Sequence, residues 1–556
     1  MATEKPPLKK RSVVSSFIYK YVDENGERKP KVALFRRSDK VNTYQHRLAV
    51  ISGSIEKTDP SPLVAAWREL QEETTLTAQS LELLREGKPY VLPDEDIGRE
   101  WTIYPFAFRL KDPEEGGKGE GGITIDWEHE SWGWYDPFEV VDSDEFGGVP
   151  KLAESLRRVW FEKDLGEAAG KLLAEGLDKL KHDHQSGARQ LAGVALQTLR
   201  DIIATLDSPE PSDEWWAKVR FAAWHIWKNG RESMGAAIMN ALVSALKSTE
   251  ETLRQHKEHP ASAHSMKWRD AVLGDLERRI SLRGTDSVRI ISESFAKYLS
   301  DGFAPEEGAG RLIRILTLSE SSTIIACLKH AVLHTNACFD LRVLESRPLF
   351  EGVSLVGTLT NELLATQATL HEAEADPNAP PKLKITLFTD ASAALASVDV
   401  DIVLIGADRI AASGAVSNKT GSLPAVLSAK HISPKSKTVV IGESEKVAPP
   451  GNPADHVVED NDPVQLLRAW KSEYNSDRVR HTAGTIARVV GSEVGGEATS
   501  GGFDGTKVAV SNVFFEWVGP ELVDVYVTEF GLWTVKDIER HSGTLGSEVD
   551  RLFKDI

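Results

Sequence analysis

The sequence predicts a multidomain α/β protein with an all-α segment in its middle. Three observations carry that prediction. The chain has 556 residues, enough for about three or four domains. From residue 311 onward, short apolar runs alternate with helical periodicity, the pattern of a parallel sheet covered by helices on both faces. Between about 166 and 310 the pattern is amphipathic helix throughout. The expected division is therefore 1–165, 166–310 and 311–556.

Composition narrows the function classes. A charged fraction of 27% and a hydrophobic fraction of 41% are those of an ordinary packed protein. A formal net charge of −18 speaks against nucleic acid or a membrane surface as a partner. Two cysteines, Cys327 and Cys338, exclude a disulfide framework and a multi-cysteine zinc site, and fit a cytoplasmic location. No apolar run is long enough to span a bilayer. The basic start MATEKPPLKKR has no apolar core after it and reads as a solvated arm.

In the first segment, Val13 to Tyr21 and Lys31 to Arg36 read as strands joined by the turn residues Asp23 to Gly26. A third strand, Leu48 to Ile51, ends in Ser52-Gly53-Ser54. Pro62, preceded by Ser61, then opens a helix, PLVAAWRELQEETTL. Leu63, Ala66, Trp67 and Leu70 form its apolar stripe. Glu69, Glu72 and Glu73 fall at i, i+3 and i+4, so they converge on another face. Three converging carboxylates repel one another unless a cation sits among them, and hard divalent ions favour such oxygen ligands.

The middle segment reads as helices over Leu165–Lys181, Ala188–Ala204, Asp213–Trp227, Met234–Lys247, Val272–Ile280 and Asp286–Leu299, with Ser248 to His264 as exposed helix and loop. Trp215, Trp224 and Trp227 read as packing residues. His182, His184 and His225 show no repeated ligand spacing.

In the last segment the strands end in polar residues. Asp408 follows the apolar run Ile402 to Ile405, and Asn418-Lys419 precede the helical run Leu423 to Lys430. Ligands of parallel sheets bind at strand C-terminal ends, and a helix N-terminus attracts phosphate. An acid and an Asn-Lys pair so placed suit a phosphorylated sugar.

The stretch GSIEKTDPSPLVAAWRELQEETTL resembles the Nudix box, whose core is Arg-Glu-apolar-X-Glu-Glu. Arg68, Glu69, Leu70, Glu72 and Glu73 match it position by position. The likeness spans about residues 11–165 and includes WEHESWGWYDPFEV. It implies an α/β/α sandwich with a mixed sheet, and a metal-dependent hydrolase of a nucleoside diphosphate linked to another moiety. Glu69, Glu72 and Glu73 would hold Mg2+ (or Mn2+), with Glu72 and Glu73 catalytic. Arg68 would orient the glutamates. Glu56 is a candidate further ligand, and Glu128 and Glu130 lie where a general base is placed. Counting back from Arg68, the usual glutamate falls at Pro60, beside Asp59. The late glycine falls at Thr75, and Gly53 is one residue out of register.

LESRPLFEG, LFTDASAA, DIVLIGADRI, VSNKTGS and NVFFEWVGPELVDVYVTEFG are similar to the α/β/δ subunits of initiation factor 2B. That family includes methylthioribose-1-phosphate and ribose-1,5-bisphosphate isomerases. HQSGARQLAGVAL and KNGRESMGAAIMNAL fit its helical half. The resemblance implies a helical domain, a Rossmann-like parallel α/β domain and a homodimer formed through the C-terminal region. It makes Asp408 catalytic and Arg347, Asn418, Lys419 and Ser319 substrate-binding. Ser319 stands where the isomerases carry a cysteine, and Glu351 where glutamine is usual. A serine hydroxyl is a poor proton shuttle at neutral pH, and a carboxylate repels phosphate. The expected ligands are small nucleotides or sugar phosphates, with isomerisation impaired.

Overall fold

The computed structural model describes residues 8–24, 26–183, 186–231, 234–258, 268–303, 311–369, 382–451, 461–473, 475–491 and 508–556. His184 lies outside them. The chain forms two compact units. One comprises Met1–Lys179, Thr198–Gly230 and Asp555–Ile556, and the other Leu180–Gln197 and Arg231–Lys554.

The first unit is built on an eight-stranded mixed sheet. Its strands are β1 (Lys9–Glu24), β2 (Glu27–Arg37), β3 (Leu48–Ala49), β4 (Ile51–Ser54), β5 (Leu81–Glu86), β6 (Tyr90–Asp94), β7 (Arg99–Leu110) and β8 (His129–Tyr135). The main path runs β3-β2-β1-β7-β5, with β4 on β1, β6 on β7 and β8 on β2. The β1–β7 pair is parallel and β1–β2 is antiparallel. Side chains alternate between two cores, as a strand's period of two demands. Val14, Ile18, Ala33 and Phe35 face Ala65, Ala66 and Leu70 of the helix Pro62–Thr74. Phe17, Tyr19, Val32 and Leu34 face Leu152, Leu156 and Trp160. The result is an α/β/α sandwich.

The basic cluster Lys9-Lys10-Arg11, expected as a solvated arm, is instead the start of β1. It pairs with Arg99, Glu100 and Trp101 of β7, and Lys10 reaches Glu100 at 3.1 Å. Unpaired backbone groups on the neighbouring strand extend the ladder, and no apolar periodicity announces it.

The helix Pro62–Thr74 begins and ends by local chemistry. The Ser61 hydroxyl accepts the Val64 N–H at 3.3 Å, and Pro62 occupies the first turn. Thr75 closes the helix in the left-handed region at φ 63. Its N–H bonds the Gln71 carbonyl at 3.0 Å, the position where glycine is usual.

The middle segment is helical. Gly235–Glu258 continues well past Lys247 into the polar stretch, and other helices span Glu167–His182, Ala188–Thr205, Asp213–Asn229, Trp268–Ser281 and Thr285–Gly302. Trp215, Trp224 and His225 are buried. His225 shares a 2.9 Å hydrogen bond with the Asn229 amide, so it serves packing.

The second unit holds β9 (Leu312–Leu318), β10 (Cys338–Leu344), β11 (Leu383–Phe388), β12 (Ile402–Gly406), β13 (Arg409–Ile410), β14 (Val416–Lys419), β15 (Lys437–Ile441), β16 (Phe515–Val518), β17 (Val525–Thr528) and β18 (Gly531–Trp533). The seven-stranded sheet runs β11-β10-β9-β12-β15-β17-β18. It is parallel apart from the β17–β18 hairpin. Ile402 and Leu404 enter one core and Val403 and Ile405 the other, so β12 is buried on both faces. Strand order reverses between β9 and β12. That is the switch point where parallel sheets open a crevice, and Ser319 and Asp408 follow those two strands. A small antiparallel sheet, β13-β14-β16, lies beside it. Among the described residues, no helix is long and apolar enough to cross a membrane.

Removing the Ser61 hydroxyl leaves a helix-end N–H without its acceptor. Ser61→Ala should lower stability by about 1 kcal/mol, measured as a lower urea midpoint at unchanged slope.

Candidate functional site

The glutamate helix carries its acids into two different settings. The Glu69 side chain is 12% exposed and Glu72 is 59% exposed, whereas Glu73 is 5% exposed. Arg68 lies among them. Its Nη1 donates to Glu69 Oε1 at 2.7 Å and to Glu72 Oε2 at 3.1 Å. Nε and Nη2 take both oxygens of Asp59 at 3.2 and 2.9 Å, and Nη2 also donates to the Ser54 carbonyl at 3.0 Å. Asp59 in turn accepts the Glu56 N–H at 2.8 Å. So Asp59 fills the place the sequence left open beside Pro60. Arg68 and the Glu56 backbone hold its carboxyl below the usual range.

The three glutamates do not all converge, as the spacing had predicted. Glu72 turns outward to Arg68. Among the described residues no group of three or more His, Cys, Asp or Glu side chains is gathered as metal ligands. Glu69 and Glu73 do face each other. Burial raises the pKa of both; at Glu69 the Arg68 ion pair and a hydrogen bond with Glu73 oppose the rise, while Glu73 is raised further by Glu69, Glu128 and Asp126, against Arg37. This is a buried acid cluster short of positive charge, and its donors are hard oxygens. A divalent cation of the Mg2+ or Mn2+ type fits it. Gly53 on β4 makes room: a Cβ there would stand 2.0 Å from Glu69 Cδ. Glu56 is exposed and accepts the Thr58 hydroxyl at 3.3 Å. Glu130 is held by His46 at 3.3 Å and Arg36 at 4.0 Å, away from a base's role.

Beside Gly53 a cavity of about 230 Å³ is lined by Arg37, Tyr44, Ser52, Ser54 and Trp101. Tyr44 donates to Asp94 at 2.5 Å. Sequence reasoning missed Arg37, Tyr44 and Trp101, which lie on different strands and loops. It also passed over His129, although Glu128 and Glu130 on either side were singled out. The His129 ring stands 3.5 Å from Glu73 and 3.4 Å from Asp126.

In the second unit the structure brings Ser319, Glu351 and Lys419 into direct contact. Ser319, at φ 63, donates its hydroxyl to Glu351 Oε2 at 2.8 Å. Its N–H is held by the Ser346 hydroxyl at 2.8 Å. Lys419 Nζ lies 3.0 Å from Glu351 Oε1. Asp408, just past β12, is near enough for burial, Lys446, Lys419 and Glu351 to act on its carboxyl; burial dominates and raises its pKa. Arg347 lines a small pocket with Ser346, Glu351, Lys419 and Phe514. Its side chain pairs with Glu345 at 2.8 Å, and its cis peptide to Pro348 begins the loop into Glu351.

One expectation here is corrected. The N-terminus of the helix Ser422–Ile432 is not open to a phosphate. Glu516 Oε1 accepts the Gly421 and Leu423 N–H groups at 2.6 and 3.0 Å, because β16 pairs with β14. The Asn418 amide is turned into the fold, donating to the Ser422 hydroxyl at 2.8 Å. Cys327 is buried against Ser292, and its thiol is pushed up to about 12 by burial, so it is no substitute for the missing cysteine.

Residues 14–159 match the NUDIX domain, and residues 381–535 match the Initiation factor 2 subunit family. The chain is 30% identical over 205 residues to methylthioribose-1-phosphate isomerase of Rhodopirellula baltica, covering 36% of this chain and 45% of that protein. A second isomerase of that name, from Anaeromyxobacter dehalogenans, is 32% identical over 133 residues, covering 19% of this chain and 39% of that protein. The chain thus spans less than half the length of these relatives. Among solved structures, translation initiation factor eIF-2B of Pyrococcus horikoshii superposes with a TM-score of 0.40 at 17% identity, over 66% of this chain and 98% of that one. For eIF2B beta of Chaetomium thermophilum the values are 0.43, 14%, 69% and 94%.

Just past β15, burial opposes ionisation of Glu443, yet Lys446 and Arg189 outweigh it and hold the carboxyl at about 2. A depressed carboxylate stabilises the fold above its unfolded pKa and ceases to as pH falls through its folded value. The second unit should therefore lose on the order of 3 kcal/mol between about pH 5 and pH 2 from this residue. Thermal melts across that range should show a smaller acid loss in Glu443→Gln.

Proposed function

We propose, for a chain that carries a Nudix domain over residues 14–159 and an initiation factor 2 subunit-family domain over residues 381–535, that it hydrolyses a nucleoside diphosphate linked to a sugar. On this reading its second region binds a sugar phosphate without isomerising it. The observation that carries the first half is the buried Glu69–Glu73 pair beside the cavity lined by Arg37, Tyr44 and Trp101. Mg2+ or Mn2+ bound there would neutralise pyrophosphate oxygens and acidify a water. Glu69 and Glu73 are assigned as ligands. Glu72, at the solvent edge beside Arg68, would take the proton of the attacking water. Arg68 fixes Glu69 and Glu72. Tyr44 and Trp101 offer aromatic faces to a base, and Arg37 a cation to phosphate. Water adds to one phosphorus, the P–O bond to the bridging oxygen breaks, and two phosphate monoesters leave.

The second half rests on Glu351. Its carboxylate occupies the Ser319 hydroxyl and the Lys419 ammonium, the groups an anionic sugar would use. With Ser319 in the cysteine's place, proton transfer with Asp408 lacks a thiol partner. We further propose Arg347 and Asn418 as binding-site residues, the division 1–165, 166–310 and 311–556, a homodimer through the C-terminal region, and a cytoplasmic location suited to the free Cys327 and Cys338.

Incubation with Mg2+ and ADP-ribose or related nucleotide sugars should release a nucleoside monophosphate and a sugar phosphate, followed by chromatography. Glu72→Gln and Glu73→Gln should each lower kcat by about a hundredfold or more. An intact panel of substrates, together with co-purifying translation factors, would instead favour an assembly protein resembling an initiation factor 2B subunit. Isomerisation of an aldose 1-phosphate that Asp408→Asn abolishes would favour a bifunctional enzyme.

Freeing Lys419 should open the second site. Glu351→Gln should bind an aldose 1-phosphate about tenfold more tightly than the wild type in calorimetry, a gain of about 1.4 kcal/mol. Unchanged affinity would remove Glu351 as the gate.

A further inference from the structure

We infer that His129 is a positioning residue for the first site, holding Glu73 in place through an Asp126–His129–Glu73 chain. This rests on the metal-dependent hydrolase reading above. The His129 side chain has 0% exposure. Its Nε2 lies 3.5 Å from Glu73 Oε2 and its Nδ1 3.4 Å from Asp126 Oδ1. Neither ring nitrogen makes a hydrogen bond. A buried polar atom left unpaired costs about 1–3 kcal/mol, so such pairs are rare. Here each orphaned nitrogen faces a carboxylate a few tenths of an ångström beyond bonding range. Contacts of this kind tighten when a site fills.

The backbone is arranged to keep the three groups together. Residues 124–129 are tied to the last turn of the glutamate helix: Thr124 N–H donates to the Thr74 carbonyl at 3.1 Å, and Asp126 N–H to the Glu73 carbonyl at 3.2 Å. Asp126 Oδ1 also accepts the Glu128 N–H at 3.0 Å, which sets the rotamer facing His129. The β2–β8 pairing then slips at Arg36/Arg37. That irregularity leaves Glu130 and Ser131 both exposed and His129 turned inward. Phe35 packs edge-on against the ring at 5.3 Å and fixes its plane.

The chemical consequence concerns one oxygen. With Nε2 held toward Glu73 Oε2, the carboxylate is oriented and Oε1 is left for the cation. Outer partners of this kind tune ligating carboxylates, and their loss typically weakens metal binding by about 10–100-fold. His129 and Asp126 touch neither substrate nor metal in this scheme.

The test is Mn2+ binding to the full-length protein, followed by the electron paramagnetic resonance signal of free Mn2+, with thermal melts as a fold control. Wild type should bind. His129→Ala should bind about 10–100-fold more weakly. His129→Gln, which keeps a donor, should recover most of the loss, and Asp126→Asn should fall between. Should His129→Ala not fold, His129→Gln and Asp126→Asn still carry the comparison. A folded His129→Ala that binds like wild type overturns the inference, as does equal weakening by Gln and Ala. A directly coordinated nitrogen in the wild-type spin-echo spectrum overturns it too, because His129 would then be a ligand. Wild type that binds no Mn2+ removes the metal reading itself, and the inference falls with it.

Discussion

One guanidinium organises the first site. Arg68 spends all three of its nitrogens on Asp59, Glu69, Glu72 and the Ser54 carbonyl. The helix, the loop before it and the end of β4 are thereby locked to one another. A planar fork matches carboxylates two oxygens at a time, which a lysine's point charge cannot do. Because Arg68 faces outward, it compensates Glu69 and Glu72 but does not reach Glu73. The remaining acid, Glu73, is buried with Glu69, Asp126 and Glu128 around it.

The second site shows the opposite balance. There a cation, Lys419, is present, and the chain itself supplies the anion through Glu351. Ser319 completes the arrangement by donating to the other oxygen of the same carboxylate. At the next helix, Glu516 fills the N-terminal N–H groups in the same manner. Two groups of donors, Ser319 with Lys419 and the N–H groups of Gly421 and Leu423, are thus each satisfied by a glutamate. An anionic ligand must compete with these charge-assisted bonds, which are about twice as strong as neutral ones. In the first site the acids outnumber the Arg68 guanidinium that pairs with Glu69 and Glu72, whereas in the second the Lys419 cation is matched by the chain's own Glu351.

Much of the fold is legible in the chain. The Ser61-Pro62 start, the apolar stripe of the glutamate helix and the buried run Ile402 to Ile405 are local patterns, and local patterns survive folding. The basic cluster at Lys9 was misread because its strand is held by β7, about 90 residues away, and carries no periodicity of its own. Thr75 looked like a departure from a glycine position. Its left-handed φ shows that the backbone keeps the turn and the side chain accommodates, with the Thr75 hydroxyl bonding the Gly122 carbonyl at 3.2 Å.

By itself, the sequence determined the main helices and the buried strand Ile402 to Ile405, that Arg68 and the three glutamates share a helix, and that Asp408 follows a buried strand while Asn418 and Lys419 precede a helix. Those are consequences of spacing, and helical and strand periods fix spacing. Only the tertiary structure decided which charges meet. It turned Glu72 outward and Glu73 inward, set His129 between Glu73 and Asp126, and placed Glu351 on Lys419. Each of those contacts joins residues far apart in the chain or depends on burial, and burial is a property of the packed interior rather than of any single segment.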